Sequence, residues 1–384
     1  MTMPNFSYQV VLLRTPKAHF YRTLMLSALT GVSICCYSQG VSLTAKVLVP
    51  DSLKAGIGIQ FFEPPTTASS VSWVATTGLG VVFSVQHQDS TPFILEVTGQ
   101  QGVGRAYVNP LDVIDTIRIT YPVIEKVIIL HTNDRHFHTN RIHELEAAAY
   151  RYRVAHPDVL LVDAGDVFVR SARRWVLDGK PMPDTLWYGQ RASQMIETMN
   201  QLGYHALTLG NHELYYVGTH TGYALQKAQF PLLAANVEVT STVLPSPQPY
   251  TIFTTTTARR VAFVGITYLA EARPGITVGD PLAAVDRHMV LRGQSDILIA
   301  LTHLGYGADL LLAQLYPQLD AIIGGHTHDL LNPARFENGV LIAQAGGNQH
   351  EVSSTSPLFL GVVTITLRNG TVATKEGYVI TLGE

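Results

Sequence analysis

Five short apolar runs in the last two-thirds of this 384-residue chain each end on a cluster of Asp, Asn or His. Val127-Ile128-Ile129-Leu130 leads into His131-Thr132-Asn133-Asp134-Arg135-His136, and Val159-Leu160-Leu161-Val162 leads into Asp163-Ala164-Gly165-Asp166. Ala206-Leu207-Thr208-Leu209 leads into Gly210-Asn211-His212-Glu213. Ile297-Leu298-Ile299-Ala300-Leu301 is followed by His303, and Ala321-Ile322-Ile323 by Gly324-Gly325-His326-Thr327-His328. Continuous apolar runs of this length read as strands buried on both faces. A chain that ends buried strand after buried strand on polar residues gathers them where the backbone leaves the sheet, around one crevice.

The runs alternate with helical patterns from Tyr121-Pro122 onward. Asn140 is placed to cap a helix reaching about Val154, favoured by Ala147, Ala148 and Ala149, and a second helix spans about 185–202. Val261 to Ile266 is a further buried strand, and 340–381 holds three alternating segments that close the chain as strands. This grammar predicts packed sheets covered by helices. Before Tyr121 it is different. Val41 to Val49, Ile94 to Val97 and Val113 to Thr120 alternate, with Gly, Pro, Asp and Ser between them, which predicts a small β-sandwich over 39–122. His87 stands alone there and reads as a surface or turn residue.

The residue types in the clusters are hard and borderline ligands for divalent cations. Asp134 and His136 are two apart, as are His326 and His328, so on extended backbone each pair faces one side. Gly165 permits a sharp turn before Asp166, and Asn211 offers a neutral amide oxygen. Asp134, His136, Asp166, Asn211, His303, His326 and His328 are too many for a closed tetrahedral site. They suit two cations sharing a carboxylate, a pair about 3.5–4 Å apart that serves in-line displacement at phosphorus. Nitrogen and oxygen donors without sulfur fit manganese, zinc, iron or cobalt. Asp163 reads as a hydrogen-bonding support rather than a ligand. His138, His143, His156, His205, His220, His288 and His350 read as structural or exposed.

The N-terminus has the form of an export leader over 1–38: Arg14, Lys17 and Arg22, an apolar run from Leu24 to Ile34, and small residues at Cys36 and Ser38 for a cut after Ser38. That run is too short to span a bilayer comfortably, and no other stretch is apolar enough. Cys35 and Cys36 are the only cysteines, so the mature chain would hold neither a disulfide nor a thiolate site; a lipid on either one is the alternative, with Ile34 bulky for such cleavage. A net charge of -3 with 14% charged residues leaves no polybasic footprint, which excludes non-specific nucleic-acid binding and argues against disorder.

In this order, the clusters resemble the calcineurin-like metallophosphoesterase superfamily, and more narrowly its 5'-nucleotidase branch, over about 126–384. The resemblance implies an α/β, four-layer αββα sandwich over 123–384, preceded by the small all-β domain. It implies a metal-dependent hydrolase of phosphate monoesters such as nucleotides. Asp134, His136 and His328 would hold one metal, Asn211, His303 and His326 the other, and Asp166 would bridge. A bridging hydroxide would attack phosphorus in line, and His212 would protonate the leaving oxygen. Glu213 is expected to be structural. Arg135, Arg170, Arg173 and Arg174 lie near the ligand loops, as phosphate clamps or as solvated surface residues.

Two positions depart from the branch. Tyr215 stands where an acidic residue often orients the catalytic histidine, and the C-terminal substrate domain of the two-domain nucleotidases has no counterpart before Glu384. Phe137, Tyr215, Tyr216 and Tyr306 could form a substitute stacking surface or could be packing residues. Two other readings stay open: a phosphodiesterase of the 2',3'-cyclic nucleotide type, and a catalytically weak metal- or ligand-binding surface protein whose β-domain supplies adhesion.

Overall fold

The computed structural model describes residues 123–382 apart from 138–140, 157, 169–175, 178–179, 182–183, 216–219, 241–242, 269–273 and 348–356, and before residue 123 the backbone of eight strands. The chain divides into two compact units, Met1–Ile124 and Glu125–Glu384.

In the second unit β1 (Ile124–Thr132), β2 (Val159–Asp163), β3 (Ala206–Thr208) and β4 (Leu232–Leu233) run parallel to one another. With β11 (Leu358–Arg368) and β12 (Thr371–Leu382) they form a first sheet in the order β4-β3-β2-β1-β11-β12. The second sheet, in the order β5-β6-β7-β8-β10-β9, takes β5 (Tyr250–Thr254), β6 (Arg260–Thr267), β7 (Ile297–His303), β8 (Ala321–Ile323), β9 (Arg335–Glu337) and β10 (Val340–Ala343). Its central neighbours β6, β7, β8 and β10 are parallel.

Alternation along each strand decides the layers. Ile128 and Leu130 of β1 pack with Leu145 and Ala149 of α1 (Ile142–Ala155) and with Met195, Ile196 and Met199 of α2 (Asp184–Leu202). Val127 and Ile129 point the other way, into an interior shared with Phe263, Ile299, Leu301 and Ile323 of the second sheet. That sheet turns Val264, Leu298, Ala300 and Ile322 outward against α5 (Pro281–His288) and α6 (Tyr306–Leu315). Helices, sheet, sheet and helices make four layers, and a strand covered on both faces has no reason to alternate in polarity.

The helix expected from an Asn140 cap starts at Ile142 instead; its N-cap is Arg141 in left-handed conformation, and Asn140 lies outside the described residues. The two short helices on the second sheet escape periodicity, though α5 carries its signal in Asp280, whose side chain accepts from Leu282 N, followed by Pro281. The closing segment is three strands. Val340–Ala343 joins the second sheet, while β11 and β12 form a hairpin on the first, turned by Asn369 and Gly370 at φ 52° and 79°. Among the described residues no helix is long and apolar enough to cross a membrane.

In the first unit the eight strands form one antiparallel sheet: Gly58–Phe62, Phe93–Gly99, Gly102–Val108, Thr116–Thr120, Ser7–Arg14, Val41–Val47, Gly80–His87 and Ser70–Thr77, in spatial order. How its faces are covered, and so whether it is a sandwich, lies outside the described residues, as do Leu24 to Ile34, both cysteines and the cut after Ser38. Ser7–Arg14 falls inside the expected leader and lies within this sheet, so removal of residues 1–38 would bare the edges of the strands on either side.

Candidate metal centre

The five clusters sit at the C-terminal ends of parallel strands. Asp134 and His136 follow β1, and Asp166 follows β2. Asn211 opens the five-residue α3 (Asn211–Tyr215) behind β3, His303 ends β7, and His326 and His328 follow β8. The backbone there is not extended, contrary to the expectation for the paired residues. Asp134, His136, Asp166, His326 and His328 all have positive φ, between 47° and 80°. Asp and His tolerate this region better than most residues, and such strain collects at functional sites. Gly165 has φ 96°, and a Cβ there would lie 2.7 Å from His303 Nδ1. A Cβ on Gly210 would run into Asp166 Oδ1.

The seven expected ligands and His212 meet around one crevice. Donor atoms of Asp134, His136 and His328 lie within 4.8 Å of one another, and so do those of Asp166, His303 and His326. Asp134 Oδ1 is 3.3 Å from His328 Nε2, and His136 Nε2 is 3.2 Å from the same atom. Asp166 Oδ2 is 3.1 Å from His303 Nε2 and 3.6 Å from His212 Nε2, while His212 N donates to Asp166 Oδ1 at 2.9 Å. Asn211 Oδ1 lies 3.0 Å from His326 Nδ1. The centre is buried except at His326 and His328, where it opens.

Backbone carbonyls orient two of the imidazoles. His136 Nδ1 donates to Phe168 O at 2.8 Å and His303 Nδ1 donates to Ala164 O at 2.7 Å, which turns each Nε2 inward. His303 Nε2 is buried and faces Asp166 Oδ2 at 3.1 Å. This donor set, with inward-facing imidazole nitrogens beside two buried carboxylates, fits a pair of divalent cations.

Charge governs the proton affinities. Burial alone would raise Asp134 and Asp166, but the surrounding imidazoles hold both below the usual carboxylate range: His328 and His303 for Asp134, His303 first for Asp166. Burial lowers His303, yet the adjacent Asp166 carboxylate lifts it to about 10. His328 is raised mainly by its bond to Asp134, whereas burial lowers His136 and His326.

A second set of buried groups holds the loops. Glu213 Oε2 accepts from Asp166 N at 2.9 Å and Gly210 N at 2.8 Å, and Oε1 accepts from Phe168 N at 2.9 Å. Burial and the Asp166 charge push its carboxyl up to about 8, against the bonds from Phe168 N and Gly210 N. Asp163 accepts from Gly165 N at 2.8 Å and from Thr132 Oγ1 at 2.5 Å, which makes it the support expected. Sequence reasoning missed Asn133, whose amide donates to Asp134 Oδ2 at 2.7 Å and to Gly346 O, and whose oxygen accepts from Ala345 N at 2.8 Å. It also missed Asp309, bonded by Thr302 Oγ1 at 2.6 Å and Gln344 Nε2 at 2.9 Å beneath the His303 and His326 loops. Adjacency to Asp134 was a signal for Asn133; nothing local marks Asp309.

Arg135 is neither a phosphate clamp nor a solvated residue. It is buried, its Nη1 3.5 Å from the Tyr204 hydroxyl. Phe137 packs with Phe168 and Tyr188, ring centroids 5.5 and 5.1 Å away, and Tyr306 packs against the second sheet, so both are packing residues. Tyr216, Arg170, Arg173, Arg174 and the Tyr215 side chain lie outside the described residues. His143 is exposed, His205 Nδ1 accepts from Leu161 N at 3.1 Å, and His288 donates to Ala284 O at 2.8 Å, all structural or surface roles as expected.

The model of the calcineurin-like phosphoesterase family matches residues 127–330, more than half of the chain and all five clusters. The chain belongs to this family. A calcineurin-like phosphoesterase is a metal-dependent phosphoester hydrolase, which accounts for a crevice lined by acidic, amide and imidazole donors. The chain is 29% identical over 238 residues to the uncharacterized metallophosphoesterase YunD of Bacillus subtilis, covering 59% of this chain and 49% of that protein. It is 29% identical over 238 residues to 5'-nucleotidase of Bos taurus, covering 54% and 38% of the two chains. The chain thus spans about half, or less, of the length of these curated relatives. The crystal structure of a 5'-nucleotidase precursor from Thermus thermophilus shares the fold, with a TM-score of 0.52 at 23% identity, over 67% of this chain and 55% of that one.

Proposed function

We propose that this calcineurin-like phosphoesterase is a dinuclear-metal hydrolase of phosphate monoesters, nucleotides among them. The observation that supports the reading is the Asp166 carboxylate, whose oxygens lie within 4.8 Å of donor atoms of His136 and His212 and also of His303 and His326, while His136 in turn groups with Asp134 and His328. In this reading Asp134, His136 and His328 would hold one divalent cation, Asn211, His303 and His326 would hold the other, and Asp166 would be shared. Two such cations supply charge neutralisation at the phosphoryl oxygens and a hydroxide nucleophile at neutral pH. The chain's own residues do the rest. Asp134 and Asp166 are kept ionised by their imidazole neighbours, and the burial of the centre strengthens every charge interaction within it. His212, with Nε2 3.6 Å from Asp166 Oδ2 and its ring centroid 4.9 Å from that of His136, is placed to meet developing charge and to hand a proton to the leaving oxygen.

Bovine and snake-venom 5'-nucleotidases among the relatives support nucleotides as one substrate class. The cations are expected to be manganese, zinc, iron or cobalt. The decisive experiment strips the purified protein of metal and reloads it with each of these. Phosphate release from nucleoside monophosphates and an aryl phosphate is then measured beside cleavage of a bis-aryl phosphate. Release from the monoesters with two metals per chain supports the proposal; cleavage of the diester alone, or none with both metals bound, overturns it. Export is proposed from the leader-like segment. Sequencing the N-terminus of the native protein tests it: a start at Gln39 supports a cleaved leader, and a start at Met1 removes it.

A further inference from the structure

The open side of the centre carries an aromatic ring. Tyr268 follows Thr267, the last residue of β6, which stands opposite His303 in the β6–β7 register. Its ring centroid lies 4.9 Å from that of His326, tilted by 53°, and the residue is 40% exposed. The backbone before it is pinned. Buried Asn236 accepts from Thr267 N at 3.0 Å and donates to Thr267 O at 2.8 Å. An exposed tyrosine by itself is ordinary. One seated on rigid backbone, against the ring of an expected ligand and where the crevice opens, is placed to meet what enters. Of the aromatics beside the ligand clusters, Phe137 cannot do this, because its ring is engaged with Phe168 and Tyr188.

We propose that Tyr268 is the stacking platform for the leaving group of the ester, and that the preferred leaving group is therefore flat, an aryl or nucleoside group rather than an aliphatic alcohol. The inference rests on reading the centre as a phosphoesterase. A ring in contact with His326 stands one side chain from a cation position, so an ester whose phosphorus reaches the centre at this edge brings its leaving group over the Tyr268 face. Stacking of this kind needs a π-face and tolerates its identity, so flatness rather than one particular base is selected.

The test uses the metal-loaded full chain as wild type, Tyr268→Ala and Tyr268→Phe. Calorimetry measures binding of phenylphosphonate and methylphosphonate, which stand in for a flat ester and for the bare anion. KM is measured for phenyl phosphate, a nucleoside monophosphate and glycerol phosphate. Tyr268→Ala is expected to weaken phenylphosphonate, and to raise KM for the two flat esters, by about tenfold or more. Methylphosphonate binding, KM for glycerol phosphate and metal content should not move. Tyr268→Phe should stay near wild type, since it keeps the ring. The proposal is overturned if wild type binds the two phosphonates equally or binds neither, if the alanine variant changes both alike, or if the phenylalanine variant is as weak as the alanine one. Absence of phosphate release from every ester, with the phosphonate preference intact, would instead remove the phosphoesterase reading and leave an aromatic-anion site at Tyr268.

Discussion

Asp166 draws the imidazoles of the centre together: its Oδ2 lies 3.1 Å from His303 Nε2 and 3.6 Å from His212 Nε2, and its own amide is held by Glu213. His212 is close to it without belonging to either expected ligand set, and this separation can be measured. His212→Ala should lower kcat by about a hundredfold or more, the scale of a lost general acid, while the protein keeps two metals per chain. Loss of metal with the side chain would make His212 a ligand and refute its role. Proton competition is the second consequence at this scale. His303, lifted to about 10 by Asp166, and His328, raised by Asp134, favour their protonated forms, and a cation must displace those protons. Metal affinity should therefore fall as pH falls, by about tenfold per pH unit for each proton displaced. Titrations at pH 6, 7 and 8 would show it, and an affinity that is flat across that range would mean the imidazoles carry no proton to lose.

At the scale of the elements, short turns do what the strands cannot. β1, β2, β3, β7 and β8 deliver their ends to one edge, but left-handed residues and close glycines aim the side chains. Glu213 ties two of these turns together through three buried N–H groups. Glu213→Ala would leave all three without an acceptor, which costs on the order of 3 kcal/mol or more. A thermal midpoint lowered by several degrees, with loss of metal, is the expected result; an unchanged midpoint would mean the turns hold themselves. Much of this centre was legible in the sequence. The seven expected ligands and His212, which the structure gathers at one crevice, could be located because each cluster follows a continuous apolar run, and continuity marks a strand covered on both faces; their roles came from the family resemblance. What was not legible is contact between distant segments. The bonds of Asn133 to Gly346 and Ala345, the burial of Arg135 and the place of Tyr268 beside His326 depend on which loops meet, and local pattern carries no record of that. The pairs Asp134/His136 and His326/His328 were read as extended and are not, because the turns that bring them inward need positive φ.

For the whole molecule, the division of labour follows the division into units. Every expected ligand and every layer of the four-layer core lies within Glu125–Glu384. That unit buries its own interior, so residues 123–384 expressed alone should fold cooperatively, bind two metals and keep phosphoesterase activity near that of the full chain. Failure to fold would assign residues 1–122 a structural role. The strands of the N-terminal unit were partly legible from alternation, but Ser7–Arg14 was not, because its basic end and the apolar run beyond it read as a leader. The claim beneath all of this is that two cations meet at Asp166. Anomalous diffraction from crystals of the metal-loaded protein tests it directly. Two peaks about 3.5–4 Å apart, with Asp166 touching both, are expected. A single peak, or two with Asp166 bound to neither, would contradict the dinuclear centre.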